Sequence, residues 1–496
     1  MYRIHHLPAG ELSVTTFEAF IQGEKTAPWY CRVSAMPYNT VWPGGQRPIE
    51  QTELASFISF EMDEPIEVKL VACRPFQEAV VRPLSKGILP RVSGREIAFT
   101  IDRPGSYTVE LDGWHNALHI FANPLTDFGV DKAAPGVRYF GPGVHEVGNL
   151  ELEDGETLFL DGGAVLYGSV WAIHKKNVRI VGYGVIDGSR EERTSRSRQI
   201  CSARGEDLDC RSEETVRALL KTEPITRGCV RLYSCQDCEI AGVIARDSSE
   251  YAYTLAGCER LNCEWIKTIG MWRYNSDGID LFNCCYVRIA NGFFRNFDDC
   301  IVLKGIKGWD QTSQHHIAVT GCTVWCDWGR CLELGAETCA DEYYDILWDD
   351  CDLIHGTHIH IDLQNGDRAR IHDMLVRNIR CEYSAHDMPP VYQQDMSAPY
   401  GAAGAPWQPT LIESVIYNGM WSRDHMLGET YNIRLEDIHI YGPENMPCPK
   451  CRFVGADEAH CNHDIVIENA VLNGRRLAPE QLCLEMSAWD RNITVK

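Results

Sequence analysis

Two short acidic motifs near the middle of the chain contain the residues with the most informative chemistry. Asp277 lies in the phrase Asn-Ser-Asp-Gly-Ile-Asp, and Asp298 and Asp299 lie in the later phrase Phe-Asp-Asp-Cys. Carboxyl groups held close together cannot all ionise easily, so at least one keeps its proton beside charged neighbours. That arrangement suits hydrolysis of a glycosidic bond, in which one carboxyl group protonates the leaving oxygen and another activates water.

Spacing decides whether these aspartates act together, because an isolated aspartate in a β-rich sequence is more often a solvated turn residue. Asp277 and Asp299 are 22 residues apart. Similar strand-like phrases recur around them at intervals of 23 to 30 residues and begin at Cys238, Leu261, Val287, Ile317, Ile346 and Met374. Short β-rich units with this period predict a β-solenoid, whose coils stack about 4.8 Å apart. The aspartates without a partner at coil spacing are expected to be ordinary turn residues: Asp280, Asp349, Asp350 and Asp352.

The solenoid pattern occupies only part of the chain, and the predicted fold is all-β with two domains. Residues 1–125 alternate short strand-like runs with turn signals, which predicts an N-terminal β-sandwich. Residues 126–496 are predicted to form the β-solenoid. Insertions near 189–226 and 384–410 interrupt the period. We expect them to wall a binding groove, although plain surface loops are the alternative.

Composition and charge exclude several classes of partner. The 496 residues carry a formal charge of −23 without any Lys/Arg-rich stretch, so we expect no nucleic-acid partner. No run of 18 apolar residues occurs, so we expect no membrane partner. The N-terminal segment lacks an apolar signal region, which predicts a cytoplasmic protein. The 22 cysteines are then expected to be reduced, with several of them acting as small core residues: Cys235, Cys258, Cys284 and Cys322.

The two acidic motifs also resemble those of known enzymes. Asn-Ser-Asp-Gly at 275–278 and Asp-Asp at 298–299 resemble the Asn-Thr-Asp-Gly and Asp-Asp signatures of glycoside hydrolase family 28, the polygalacturonases. They resemble equally the related family 49 of dextranases and isopullulanases. The likeness extends from about residue 135 to 475, through the phrases Gly-Pro-Gly-Val-His-Glu-Val-Gly at 141–148 and Gly-Tyr-Gly-Val-Ile-Asp-Gly at 182–188.

The resemblance implies a right-handed parallel β-helix that hydrolyses glycosidic bonds with inversion of configuration. Asp298 matches the general acid of these families. Asp277 and Asp299 match the pair that positions and deprotonates the water. The resemblance therefore predicts catalytic roles for three residues that spacing alone only brings together.

The positions that would recognise the substrate depart from the polygalacturonase pattern. Arg330 stands where that family has the histidine of Gly-His-Gly, and His358-Ile-His360 stands where it has Arg-Ile-Lys. Two histidines that are largely neutral at pH 7 would replace two permanent cations. This favours a neutral glycoside as substrate. An exo-acting hydrolase of galacturonides is the alternative, in which Arg330, Lys304 or Arg368 would bind the uronate.

Residues near the acidic motifs are predicted to contact the sugar. Aromatic rings can stack on the apolar face of a sugar, although core packing is the alternative for each ring. The predicted substrate-binding residues are Asn275, Lys304, Arg330, His358, His360, Trp272 and Trp309. Glu333 is a further candidate, since strand alternation would place it in the groove.

Other readings stay open at this point. A polysaccharide lyase and a non-catalytic carbohydrate-binding β-helix could use the same fold. No cofactor or metal is expected, although a structural zinc site remains an alternative for Cys448, Cys451, His460, Cys461 and His463, whose spacing is not that of a standard finger. The expected partner is an oligosaccharide substrate, and homo-oligomer formation through the sandwich or the insertions is left open.

Overall fold

The computed structural model describes residues 1–35, 49–191, 228–306, 313–383 and 408–496, with the short antiparallel strands Val391–Tyr392 and Gly401–Ala402. Almost all of both predicted insertions, and the predicted substrate-binding residue Trp309, lie outside the described residues. Regular structure in the described part is β-strand except for three short 3-10 turns, which are Ile49–Gln51, Leu84–Lys86 and Pro479–Gln481.

The N-terminal region forms the predicted β-sandwich from a six-stranded and a five-stranded sheet. The strands of the first sheet are Tyr2–Ile4, Trp29–Ser34, Thr52–Met62, Ala79–Arg82, Gly105–Leu111 and Leu118–Pro124. Those of the second sheet are Phe17–Ile21, Glu24–Thr26, Ile66–Ala72, Arg91–Ser93 and Glu96–Ile101. Buried and more exposed residues alternate along Ile66–Ala72, because one face of each sheet turns toward the other.

The remainder of the described chain is a parallel β-helix of 30 strands, which confirms the predicted fold class. Each coil contributes to three faces. The first face consists of Val137–Phe140, Thr157–Leu160, Arg179–Gly182, Gln236–Ala241, Glu259–Glu264, Cys285–Ala290, Gln314–Thr320, Glu342–Asp349, Arg370–Glu382, Glu429–Tyr441, Asn462–Leu472 and Arg491–Val495. The antiparallel strand Arg475–Arg476 pairs with its end.

The other two faces have shorter strands. The second face consists of Gly143–Glu151, Val185–Asp187, Ile244–Arg246, Lys267–Ile269, Phe293–Asn296, Thr323–Cys326 and Asp352–Gly356. The third face consists of Ala164–Ile173, Val230–Tyr233, Tyr253–Ala256, Ile279–Phe282, Ile301–Gly305, Arg330–Thr338, Ile359–Asn365, Thr410–Ile416, Lys450–Val454 and Cys483–Met486. Side chains of equivalent position therefore form columns that run along each face.

One continuous apolar core fills the solenoid, and cysteines take part in it as predicted. Cys235, Cys258, Cys284 and Cys322 are buried in this core beside Val, Ile and Leu side chains. No disulfide joins the cysteines of the described residues. A small, weakly polar thiol fits an interior position where successive coils are closely stacked.

The sandwich packs on the second face of the β-helix. Trp29, Phe57 and Phe121 of the sandwich share a buried cluster with Phe293 and Trp325 of the solenoid. This contact covers the second face and leaves the third face available for a ligand.

Buried polar contacts accompany this packing. Glu110 of the sandwich accepts a 2.8 Å hydrogen bond from Arg82 Nε and contacts His355 of the solenoid, and Arg82 also contacts Glu382. Asp352 lies in the same interface, where it accepts a 2.6 Å hydrogen bond from Ser85. The prediction that Asp352 is a solvated turn residue is therefore wrong, because the docked sandwich covers it.

No helix in the described residues is long and apolar enough to cross a membrane.

Candidate active site

A pocket of about 200 Å³ opens on the third face of the solenoid. Carboxyl side chains from three coils line it: Asp277, Asp298, Asp299, Glu333 and Glu337. The cations Lys304 and Arg330 lie beside them. The structure thus brings together the three aspartates predicted from coil spacing, although they belong to different coils.

Backbone pairing between successive turns places the acids. The turns that precede Ile279–Phe282, Ile301–Gly305 and Arg330–Thr338 stack in register, because Gly278 N donates to Asp299 O at 2.8 Å and Cys300 N donates to Arg330 O at 2.9 Å. Asp277, Asp299 and Arg330 consequently occupy equivalent positions in three coils.

A glycine allows the closest of these approaches. A Cβ atom at Gly329 would collide with the carboxylate of Asp299 and would lie 2.7 Å from its backbone nitrogen. Only a residue without a side chain lets the turn before Arg330 pass so near Asp299. Gly329 and Arg330 therefore both shape the pocket.

The electrostatics of the pocket separate the adjacent acids Asp298 and Asp299. Burial, with repulsion from Asp299 and Asp277, holds the pKa of Asp298 well above its ordinary value. Burial alone would also raise the pKa of Asp299. The charge of Arg330 and a hydrogen bond with Glu333 outweigh that effect and lower it. Asp298 therefore favours its protonated form and Asp299 its ionised form.

Asp299 has donors that Asp298 lacks. Arg330 donates to Oδ1 of Asp299 from its backbone N–H at 2.9 Å and from its guanidinium Nη1 at 3.5 Å. Asp298 accepts a 3.1 Å bond from the backbone N–H of its neighbour Asp299. Since hydrogen bonds to the charged form favour ionisation, the difference in donors accounts for the difference in charge.

Lys304 joins two further carboxylates. Its Nζ lies 3.0 Å from Asp277 Oδ2 and 3.0 Å from Asp280 Oδ1. Burial nevertheless raises the pKa of Asp277 to about 7 and that of Asp280 well above normal. Asp280 is fully buried in the strand Ile279–Phe282, so its predicted place in a solvated turn is wrong. Its side chain points outward on the third face, where Lys304 covers it.

Arg330 is held by acids on the same face. Its Nε lies 3.2 Å from Asp362 Oδ2, and its Nη2 donates to Gln364 Oε1 at 3.2 Å. Burial raises the pKa of Asp362 to about 8. Asp362 was not predicted, and its signal in the sequence is its separation of 29 residues from Glu333, which pairs with it one coil earlier.

Aromatic and apolar side chains form the rim of the pocket. Tyr274 and Trp328 pack with ring centroids 5.8 Å apart, and Asn275 lines the pocket beside them with a left-handed backbone conformation. Met420 and Trp421 complete the rim from a distant loop, with 81% and 39% of their surface exposed. Neither was predicted, because nothing in the repeat links this loop to the acidic motifs.

Two of the side chains predicted to contact the substrate lie away from the pocket. His360 is fully buried against Tyr383, at 4.8 Å between ring centroids, and Trp272 donates to Asp247 at 2.8 Å. The structure does not bring these two side chains to the pocket. His360 is the second residue of the strand Ile359–Asn365, and its ring is buried close to Gly356, as is the core residue Cys331. His358 lies near Arg330, and burial lowers its pKa to about 3.

The residues considered for zinc have other partners. His463 stacks on Tyr431 at 5.0 Å between ring centroids, His460 bonds Asp457, and Cys451 belongs to the apolar core. No group of three or more potential metal ligands occurs within the described part of the chain.

A carboxyl group that holds its proton beside an ionised one is the pair of groups that glycoside hydrolysis uses. Comparison with protein families agrees: residues 170–380 match the sequence model for glycosyl hydrolases family 28. The match includes Asp277, Asp298 and Asp299. It confirms the predicted resemblance for this central segment, and the protein is a glycoside hydrolase.

One of the solved structures similar to this chain shares its fold at low sequence identity, and two others match more weakly. Dex49A from Penicillium minioluteum is 12% identical with a TM-score of 0.60, covering 99% of this chain and 96% of its own. A hyperthermoactive exopolygalacturonase from Thermotoga maritima is 16% identical with a TM-score of 0.41, covering 69% and 84%. A family 28 exopolygalacturonase from Yersinia enterocolitica is 13% identical with a TM-score of 0.40, covering 86% and 96%. Comparison with curated protein sequences gave no significant match.

Proposed function

We propose that this protein hydrolyses α-linked, neutral oligosaccharides with inversion of configuration. Asp298 is the general acid, and Asp299 acts with Asp277 to activate the water. The main support is the opposite protonation preference of Asp298 and Asp299, two adjacent side chains in one pocket. Hydrolysis requires one carboxyl group of each kind at the same time.

The reaction follows from these protonation states. Asp298 transfers its proton to the glycosidic oxygen as the bond from that oxygen to the anomeric carbon breaks. A water molecule attacks the anomeric carbon from the opposite side and loses a proton to Asp299. Asp277 holds the water together with Asp299. Since the two events occur on opposite faces of the sugar ring, the product has the inverted anomeric configuration.

The charges of the pocket favour a neutral sugar. Among the described residues that line the pocket, the cations Lys304 and Arg330 are each already paired with protein carboxylates. A substrate carboxylate would have to displace those partners in a pocket that has an excess of acids. The same pairing argues against a lyase, because such an enzyme needs a Lys or Arg free to act as base.

The size and location of the substrate are further parts of the proposal. The pocket of about 200 Å³ accommodates little more than one sugar ring, and the exposed Trp421 offers a surface for a neighbouring ring. We place the enzyme in the cytoplasm, acting on imported oligosaccharides. The buried thiols without disulfides in the described residues support that location.

The direct test is a panel of α-linked neutral oligosaccharides and oligogalacturonides, with the first-formed anomer of each product followed by NMR. We expect turnover of a neutral substrate and release of the β-anomer. Release of the α-anomer would contradict the inverting mechanism. Preferential cleavage of galacturonides would contradict the neutral substrate. A product absorbing in the ultraviolet would identify a lyase, and binding without turnover across the panel would argue against a catalytic role.

A further inference from the structure

Glu333 lies in the groove, as strand alternation predicts, and there it contacts the proposed base Asp299. It lies on the third face between Val302 of the preceding coil and Asp362 of the following coil, and its side chain is almost completely buried. It lines the catalytic pocket and is in hydrogen-bonding contact with Asp299. A carboxyl group in direct contact with the proposed base must affect what that base can do.

The charges around Arg330 require one of its acids to be neutral. Arg330 lies within 4.0 Å of Asp299, Asp362 and Glu333, the last at 3.8 Å. One guanidinium cannot balance three buried carboxylates, because each unpaired charge loses its hydration without adequate compensation. At least one of the three acids therefore retains a proton.

Hydrogen-bond donors indicate that Asp299 is not the neutral acid, which leaves Glu333 and Asp362. Asp299 accepts from the backbone N–H of Arg330 and from its guanidinium, so Asp299 is well suited to carry charge. Oδ1 of Asp362 is buried and no N–H or O–H of the described residues reaches it, so this acid can also be neutral. The same is true of Oε2 of Glu333, the acid that contacts Asp299. As part of a carboxylate this oxygen would be a buried acceptor without a donor, which is costly. As a hydroxyl group it can donate to Asp299.

We propose that Glu333 is a positioning residue, a neutral carboxylic acid that donates a hydrogen bond to Asp299 and keeps this base ionised and directed at the water. The inference rests on the proposed function, in which Asp299 takes the proton of the attacking water. Glu333 keeps its own proton throughout: the proton of water moves to Asp299, and the proton of Asp298 moves to the leaving oxygen.

The test compares two substitutions at the same position. Glu333→Gln retains a donor, because its amide N–H can replace the carboxyl O–H, and we expect kcat within about threefold of the parent. Glu333→Leu removes the donor. We expect kcat to fall about 10- to 100-fold with little change in KM, the loss typical of a hydrogen bond to a charged group. The acidic limb of the kcat–pH profile should move up by about one unit, because Asp299 becomes easier to protonate.

Glu413→Gln is the matched control. Glu413 lies in the same column, one coil beyond Asp362, and pairs with Arg452 at 3.1 Å outside the pocket lining. This variant should keep the rate and pH profile of the parent. Each rate is divided by the folded fraction from near-ultraviolet circular dichroism, and Glu333→Met replaces Glu333→Leu if the latter does not fold.

The inference fails if the acidic limb of the kcat–pH profile of Glu333→Leu is the same as that of the parent. It also fails if Glu333→Gln loses as much activity as Glu333→Leu. Asp299→Asn in the same assay separates this result from a failure of the proposed function. If Asp299→Asn keeps its rate, the assignment of the base is wrong. If it is inactive while Glu333→Leu retains the parental profile, only the role of Glu333 is overturned.

Discussion

The candidate active-site pocket and the interface between the two domains both bury carboxyl groups, and one acid from each has a pKa shifted in the opposite direction. Glu110 in the interface is buried like Asp298 in the pocket. Arg82 and His355 both contact Glu110, and their influence outweighs burial and lowers its pKa. Asp298 has acidic neighbours instead, and its pKa is raised. Burial therefore does not distinguish the proposed catalytic acid from a structural one. The local balance of charge does.

Glu382 is an intermediate case within the interface. It shares Arg82 with Glu110 and accepts a 2.7 Å hydrogen bond from the backbone N–H of Leu84. Burial still raises its pKa to about 7. One cation shared between two buried acids therefore does not fully compensate both, as in the pocket, where Arg330 serves several acids.

Asp298→Asn should give the largest effect on activity. The amide cannot protonate the leaving oxygen, so we expect kcat to fall about 10²- to 10⁴-fold with the fold intact. The pKa of Asp298 is raised because its ionisation is less favourable in the folded than in the unfolded state. Asp298 therefore destabilises the fold increasingly as pH rises above its unfolded-state pKa. The variant should therefore be more stable than the parent at pH 8, by about 1 kcal/mol, with little difference at pH 4. Kinetics and urea unfolding at both pH values measure the two effects.

Asp350→Asn is the control for that experiment, since Asp350 is exposed and lies outside the pocket. Retention of more than a few per cent of the parental rate by Asp298→Asn would contradict its role as the acid.

Glu110→Gln should show the opposite pattern. Removing one partner of a buried ion pair leaves Arg82 with less compensation, and we expect the free energy of unfolding to fall by about 3–5 kcal/mol at pH 7. The rate per folded molecule should not change, because the interface lies on another face of the solenoid. Since the folded-state pKa of Glu110 is lowered, its contribution is present above the unfolded pKa and is lost as pH falls. The difference from the parent should therefore shrink toward pH 3. A pH-independent difference in urea unfolding would contradict this account.

The sequence predicted the solenoid and the cluster of carboxyl groups because both depend on regular spacing. A repeat of 23 to 30 residues determines which positions stack, so Asp277 and Asp299 could be expected in adjacent coils. It could not determine which residues depart from simple alternation near the start of a strand. His360 and Cys331 are both buried beside inward-facing neighbours, so the histidine predicted to bind sugar packs on Tyr383.

Features that depend on contacts between distant segments were not predictable. Asp280 could be expected to be an ordinary turn aspartate until Lys304 was seen 3.0 Å away. Asp352 is covered by the N-terminal sandwich, in which Ser85, 267 residues earlier in the chain, donates a hydrogen bond to it. Trp421 reaches the pocket from a loop more than 120 residues beyond Asp299, and no local pattern indicates where such a loop will pack.

Arg330→Lys tests whether the planar geometry of the guanidinium group, in addition to its charge, keeps Asp299 ionised. A lysine keeps one positive charge but cannot contact Asp299, Asp362 and Gln364 in the same geometry. We expect kcat to fall about tenfold, with the acidic limb of the profile shifted upward. The preference for neutral over uronate substrates should not change, because Arg330 is occupied by protein acids. Selective loss of uronate turnover would instead identify Arg330 as a substrate-binding cation.

Trp421→Ala should have the smallest effect and should separate binding from chemistry within the pocket. The ring lies at the rim, away from the acid and the base, and 39% of its surface is exposed. Loss of one stacking contact should raise KM about 3- to 10-fold for substrates long enough to reach it and leave kcat unchanged. The shortest cleaved substrate should show no change. Trp489→Ala is the control, because Trp489 is similarly exposed but outside the pocket. An equal increase of KM for every chain length would mean that Trp421 shapes the pocket itself, and a fall in kcat alone would exclude a role in binding the neighbouring sugar.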